Sequence, residues 1–174
     1  MAPLISRALH TKCKPEAKCK KSRKMPTHSE TRLLPYTAAE MYDLVADVAK
    51  YPQFLPWCAA ARVISVVPEG NSEVMTADLV ISFKVFREKF ASRVVLWPEA
   101  RKIDTSYIDG PFKHMNSTWA FRAAPGGCEV DFFVDFEFRN RILQGVIGLV
   151  FNEAIQRVVA AFETRAQDLY GSTG

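Results

Sequence analysis

The chain is poor in the residues that most fixed chemistries require: its 174 positions hold 4 cysteines, 3 histidines and 8 glycines. Each shortage excludes something. There is no glycine-rich phosphate loop, because Pro125-Gly126-Gly127 reads as a hairpin turn with no helix behind it. No serine sits in a nucleophile elbow, and Cys58 has no histidine beside it in sequence, although distant residues can still meet in space. His10, His28 and His114 are isolated, and no cysteine or histidine pair in the body has ligand spacing, so no metal site is expected. Cys13 and Cys19 fall near the start, and Cys58 and Cys128 in apolar segments. That is not a disulfide framework, and it suits a reducing compartment. No apolar run reaches the roughly 18 residues that span a bilayer, so an integral membrane protein is not expected.

The formal charge of +4 is concentrated at one end. Residues 1–24 carry eight of the 23 basic residues and one acid, Glu16, which leaves 15 bases against 18 acids from Met25 onward. A body-wide nucleic-acid footprint is therefore lacking, and no DNA partner is expected. The basic leader is set apart from the fold. It has a small apolar patch (Leu4, Ile5, Ala8, Leu9) and few acids, as organelle-targeting leaders do, but its lysine-rich second half makes a poor amphipathic helix. Alternatively, translation begins at Met25. Either way residues 1–27 are expected to be disordered, with one domain over 28–171 and a short tail at 172–174.

What the chain does have is a long proline-free segment from Arg141 to Tyr170, with apolar residues at helical spacing: Leu143, Ile147, Val150, Ala154, Val158 and Ala161. As a helix it would run about 45 Å, enough to cross a small domain. From Ile142 to Phe151 it is apolar at nearly every position; from Asn152 onward it is ordinarily amphipathic. One apolar face suffices to pack on a sheet, so the first half has apolar surface to spare. That surplus fits deeper burial or a second role.

Ahead of it, His28–Leu34 reads as a strand ended by Pro35. Thr37 and Glu40 make a capping box for a helix whose Met41, Leu44, Val45 and Val48 share a face. Then comes Tyr51-Pro52-Gln53-Phe54-Leu55-Pro56-Trp57-Cys58, a stiff apolar turn that fits either a core plug or a pocket rim. Period-two alternation follows, over 61–67, 73–83, 87–97, 102–108, 113–123 and 128–138, with short turns between. In the last of these, Cys128, Val130, Phe132, Val134, Phe136 and Phe138 face one way. Glu129, Asp131, Asp135, Glu137 and Arg139 face the other, and only Phe133 breaks the polar side. This order predicts an α+β domain in which a curved antiparallel sheet wraps the C-terminal helix.

Asp131, Asp135 and Glu137 would be the only candidate acid–base set, and a solvated strand face accounts for them better. Lys84, Arg87, Glu88 and Lys89 mark a hairpin tip, either a solvated turn or a basic contact for anionic lipid. The twelve phenylalanines, many at inward positions, suit a binding cavity as well as a packed core.

Val45-Ala46-Asp47-Val48 followed by Tyr51–Cys58 resembles the signature of the coenzyme Q-binding proteins of the START-like, polyketide cyclase/dehydrase superfamily. Asp109-Gly110-Pro111-Phe112 with Trp119, Phe133–Phe138 and Phe151-Asn152-Glu153-Ala154 extend the resemblance, which runs from about Glu30 to Gly171. It implies a helix-grip fold with an apolar tunnel between sheet and helix. It also implies ubiquinone or a related polyisoprenoid as bound ligand and no catalytic cofactor, in a chaperone that supports respiration and quinone synthesis and is not an enzyme. Tyr51, Phe54, Leu55, Pro56 and Trp57 would form the mouth. Val45, Leu79, Phe83, Phe90, Phe112, Trp119 and Phe136 would line the interior. Leu143, Ile147, Val150 and Phe151 would be tunnel wall or a membrane-facing patch. The family also includes a bacterial ribosome-association toxin, which implies the large ribosomal subunit as an alternative partner. The superfamily allows an aromatase or cyclase, for which this chain offers no residue set. A mitochondrial member would work on the matrix side of the inner membrane, and a bacterial one, starting at Met25, in the cytoplasm at the inner membrane.

Overall fold

The computed structural model describes residues 27–171. The expected leader and tail lie outside the described residues, apart from Thr27, which opens the first strand. The elements are β1 (Thr27–Leu34), α1 (Ala38–Ala46), a 3-10 helix (Val48–Gln53), β2 (Cys58–Glu69), β3 (Ser72–Phe83), β4 (Phe86–Trp97), β5 (Lys102–Asp109), β6 (Phe112–Ala124), β7 (Gly127–Phe138) and α2 (Arg141–Tyr170). The capping box at α1 forms as the sequence predicts. Thr37 Oγ1 accepts from the Glu40 backbone N–H at 3.1 Å, and the Glu40 carboxylate accepts from the Thr37 N–H at 2.7 Å. At α2 the Asn140 side chain takes the same role, accepting from Ile142 N and Leu143 N.

All seven strands join one antiparallel sheet in the order β1-β7-β6-β5-β4-β3-β2. Six follow one another as a meander, and β1 closes the far edge beside β7. Leu34 pairs with Cys128 there, next to Gly127. Gly127 has φ +154°, and a Cβ on it would lie 1.9 Å from the Leu34 carbonyl oxygen, so the edge closes only over glycine. Register shifts in β2–β3, β4–β5 and β6–β7 bend the strands. β2 extends further at both ends than the 61–67 the alternation suggests, because Pro68 and Glu69 still pair with Glu73 and Ser72 at this edge, where proline is tolerated.

The concave face of the sheet holds α1 and α2, as the helix-grip expectation requires. The predicted face of α1 (Met41, Leu44, Val45, Val48) is buried. On α2 the buried stripe is Leu143, Phe151, Ile155, Val159, Phe162 and Ala166. The stripe read from sequence lay one position off, on Val150, Ala154, Val158 and Ala161, which are half-buried flanks. The small residues at 154 and 161 drew the reading there, whereas the larger Phe151, Ile155 and Phe162 are what the sheet accepts. Among the described residues α2 is the one helix long and apolar enough to cross a membrane by length and composition. An uninterrupted-run criterion misses this, because polar positions from Asn152 onward break the run. In the fold its second half is packed on the sheet, while Ile142 and Leu149 in the first half are 71% and 89% exposed.

Candidate functional site

The proline-bearing segment after α1 is tied down at both ends. Tyr51 donates its hydroxyl to the Val45 carbonyl at 2.6 Å, and Leu55 N–H donates to the Tyr51 carbonyl at 2.8 Å. Beyond Pro56, the Trp57 carbonyl accepts from Ser82 N–H at 2.8 Å, which fixes the segment to β3. Trp57 adopts φ +62°, a left-handed conformation costly for a residue with a Cβ. It places the indole edge-on to Phe83, with ring centroids 5.2 Å apart. Phe54 packs away from the opening, edge-on to Tyr51 at 5.9 Å and Phe162 at 5.3 Å, with the Arg165 guanidinium over its ring.

Between the sheet and α2 lies a deep cavity of about 240 Å³. Its walls come from α1 and the 3-10 helix (Val45, Val48, Tyr51), from the inward positions of β3 to β7, and from Ile155, Val158 and Phe162 of α2. A second space of about 190 Å³ lies under Pro56 and Trp57, bounded by Ile81, Phe136, Phe138, Ile147 and Phe151. Leu55, Leu79, Ile155 and Val158 line both and form a waist between them. Neither alone reaches the roughly 300–1,000 Å³ typical of ligand sites, but their volumes taken together do. Outside, an open groove is lined by Trp57, Phe83, Lys84, Val150, Glu153, Ala154 and Arg157. A small pocket beside it involves Phe83, Phe90, Phe112, Leu143 and Ile147.

The sequence-selected residues are thus distributed over these neighbouring spaces. Val45, Tyr51, Leu79, Phe90 and Trp119 line the deep cavity, and Leu55 belongs to the waist. Pro56, Trp57, Phe136, Ile147 and Phe151 surround the outer space, while Phe83, Phe112, Leu143 and Val150 line the groove and the small pocket. Phe54 is the one that lines none of these spaces. Sequence reasoning missed Ser92, Val94, Ile103, Thr105, Met115, Ser117, Ile155 and Phe162. The strand residues among them share the inward parity of Phe90 and Trp119, and following that parity across β4, β5 and β6 would have found them.

Polarity falls with depth. The groove carries Lys84, Glu153 and Arg157, the last two paired at 2.5 Å. Among the described residues no ionisable group other than Tyr51 lines the deep cavity. Burial pushes the Tyr51 hydroxyl well above its usual range, and its proton is already given to Val45. Three further hydroxyls face the space, on the three middle strands: Ser92 of β4, Thr105 of β5 and Ser117 of β6. Trp119 stacks on Phe132 at 4.1 Å and leans on Phe162 at 5.2 Å, forming a rigid side wall.

Among the described residues, the candidate catalytic groups named from sequence do not come together. Cys58 is buried beneath the mouth, and burial pushes its thiol up, away from the reactive thiolate. Cys58 and Cys128 are both free. The acidic residues of β7 serve cross-strand pairing: Asp131 accepts from Thr31 at 2.6 Å and pairs with Arg122, and Glu137 pairs with Lys113 at 2.5 Å. No group of three potential metal ligands occurs among the described residues.

Residues 34–163 match the family described as polyketide cyclase / dehydrase and lipid transport. The chain is 43% identical over 148 residues to the ribosome association toxin RatA of Rickettsia prowazekii, covering 83% of this chain and 99% of that one. It is 32% identical over 149 residues to the mitochondrial coenzyme Q-binding protein COQ10 homolog B of Xenopus laevis, covering 83% of this chain and 59% of that one. Among solved structures, the 18 kDa protein CC1736 of Caulobacter crescentus superposes with a TM-score of 0.72 at 36% identity, over 85% of this chain and all of that one.

Proposed function

The chain belongs to the polyketide cyclase / dehydrase and lipid transport family, and from that premise we propose that it holds ubiquinone or a related polyisoprenoid quinone between its sheet and α2, as a carrier and not a catalyst. The observation that carries this reading is the pair of adjoining apolar spaces under α2, the inner one free of ionised groups. At about 0.8 kcal/mol per buried CH₂, each five-carbon isoprene unit costs roughly 4 kcal/mol to expose to water, so such a molecule needs a sheath to leave a bilayer. A sheath must also touch the bilayer to load. Val85 at the β3–β4 tip is 90% exposed beside Lys84, and with Ile142 and Leu149 it gives the mouth end an apolar, partly basic surface suited to anionic lipid. In this role the protein works at a bacterial inner membrane or the matrix face of a mitochondrial one, supporting electron transport and quinone synthesis. The test is native mass spectrometry, with organic extraction, of the full chain purified from a quinone-producing host. A quinone should co-purify near one to one and be depleted by Val150→Lys. A chain that arrives empty and refuses added quinone would sink the reading.

The identity to RatA exceeds that to the coenzyme Q-binding relative, and this favours a second reading. In it the domain is a binding module for the large ribosomal subunit, blocking subunit joining. Salt-sensitive co-sedimentation with purified large subunits would support it, and absence of the chain from the ribosomal pellet at low salt would remove it.

A further inference from the structure

The deep cavity contains a polar feature that its apolar walls do not need. Thr105 and Ser117 are direct cross-strand partners in β5–β6, and both line the cavity. Thr105 also pairs with Val94 in β4–β5, and Ser92 lies two residues from Val94 on the same face. Direct partners sit about 5 Å apart at Cβ and diagonal ones about 7–8 Å, so the three hydroxyls form a short row across the middle of the sheet. Ser92 is 1% exposed, and its only bond is a long one, 3.4 Å to the Ala77 carbonyl. The Thr105 and Ser117 hydroxyls have no partner among the described residues. Yet neither is sealed in protein, since among the described residues the buried unpartnered side-chain atoms are His114 Nε2 and Arg165 Nε. They are open to the cavity. Valine and alanine would fill these three positions at no polar cost, and the neighbouring inward positions are Val94, Ile103 and Met115.

We infer that this row is the head-group subsite: it donates hydrogen bonds to the acceptor oxygens of a neutral ring, which enters first while its apolar tail runs through the waist to the mouth. This rests on the lipid-carrier reading and adds the residues that receive the head and the direction of binding. A ring bearing carbonyl or ether oxygens offers acceptors to hydroxyl donors and needs no counter-charge. A carboxylate or phosphate head would be stranded, because the deep cavity offers it no cation. The cations lie in the groove outside, where Lys84 and Arg157 stand with Glu153.

The experiment titrates the full chain with three probes of similar tail length: decylubiquinone, decylbenzene and decanoate. Wild-type protein should bind decylubiquinone about tenfold or more tighter than decylbenzene, one to two hydrogen bonds' worth, and decanoate weakest. The Thr105→Val/Ser117→Ala double variant should lose that preference while its affinity for decylbenzene stays within about twofold, which also shows that the cavity is intact. In a Trp57→Phe/Trp97→Phe variant, which keeps Trp119 alone, decylubiquinone should still quench the fluorescence strongly, since the Trp119 ring lies at the inner wall. If the double variant keeps the preference for decylubiquinone, or decanoate binds as well as the quinone, the head-group subsite is overturned and the carrier reading survives. If wild-type protein binds none of the three, both fall.

Discussion

Trp57 meets Phe83 edge-to-face at 5.2 Å, and this contact joins the proline-bearing segment to the β3–β4 hairpin above the outer space under α2. On the carrier reading this contact would act as a latch. Phe83→Ala removes one half and should raise the release rate of bound decylubiquinone about tenfold, at a stability cost of about 1–2 kcal/mol for a half-buried ring. Stopped-flow displacement measures the first and denaturant unfolding the second. An unchanged release rate would mean that ligands leave by another route.

Trp57 itself separates ring from backbone. Its left-handed φ of +62° costs alanine as much as tryptophan but costs glycine nothing. Trp57→Gly should therefore be more stable than Trp57→Ala by about 1 kcal/mol, though both lose the latch. Equal midpoints in urea for the two variants would show that the strain is not held at this residue.

The waist gives a way to close the path without disturbing the fold. Val158 borders both the deep and the outer space, so Val158→Phe places its added volume in a void and not into packed atoms. Thermal stability should hold or rise by about 1 kcal/mol, as for other cavity-filling changes, while co-purified lipid disappears. Loss of lipid together with loss of stability would point to overpacking instead.

These tests draw on features of unequal visibility in the sequence. Alternation and turns disclosed the sheet, and the capping box at Thr37 disclosed α1, because both signals are local. The resemblance in the Tyr51–Cys58 stretch directed attention to the mouth, and Pro56 and Trp57 do border the outer space. Two things were not legible. The phase of α2 depended on which side chains the sheet would accept, so the reading settled on Ala154 and Val158 where Ile155 and Val159 are the buried ones. The hydroxyl row was hidden because Ser92, Thr105 and Ser117 look like ordinary polar breaks in their own strands. Only the register of three strands brings them together. At Phe54 the sequence shows a greasy turn but not which way each ring leaves it.

The Asp109-Gly110-Pro111-Phe112 turn supports the cavity from behind. Gly110 has φ +134°, and a Cβ there would sit 2.7 Å from both the Lys89 carbonyl oxygen and Phe90 Cβ. Its carbonyl accepts the Tyr107 hydroxyl at 2.6 Å, so the turn has little room to shift. Gly110→Ala should cost about 3 kcal/mol, combining backbone strain with a clash. Because Phe90 lines the deep cavity, quinone affinity should fall as well. A variant that unfolds like wild type in urea would show that β4 and this turn separate easily.

Arg32 of β1 ties the sheet's edge to α2 through Glu163 at 2.7 Å and Gln156 at 2.9 Å, and Glu30 pairs with Arg32 and with His28. Burial works to raise the Glu30 carboxyl, but the hydrogen bonds from Arg32 and His28 outweigh it, and the group is held below its ordinary value of 4.5. A lowered folded pKa means that the folded state favours the ionised form. The contribution to stability is therefore present in full above about pH 4.5 and is lost as pH falls through the lower folded value. Asp131 acts in the same direction, held down by the Thr31 hydroxyl and by Arg122 despite some burial. Unfolding free energy should thus be flat in these two groups from pH 7 to about 5 and decline below that. Glu30→Gln should lower stability at pH 7 by about 1 kcal/mol or less, as expected of a half-exposed pair, and should flatten the acid limb. Urea titrations at several pH values decide it: a variant with the same acid slope as wild type would remove Glu30 from the clamp and leave Glu163 as the acid that holds Arg32.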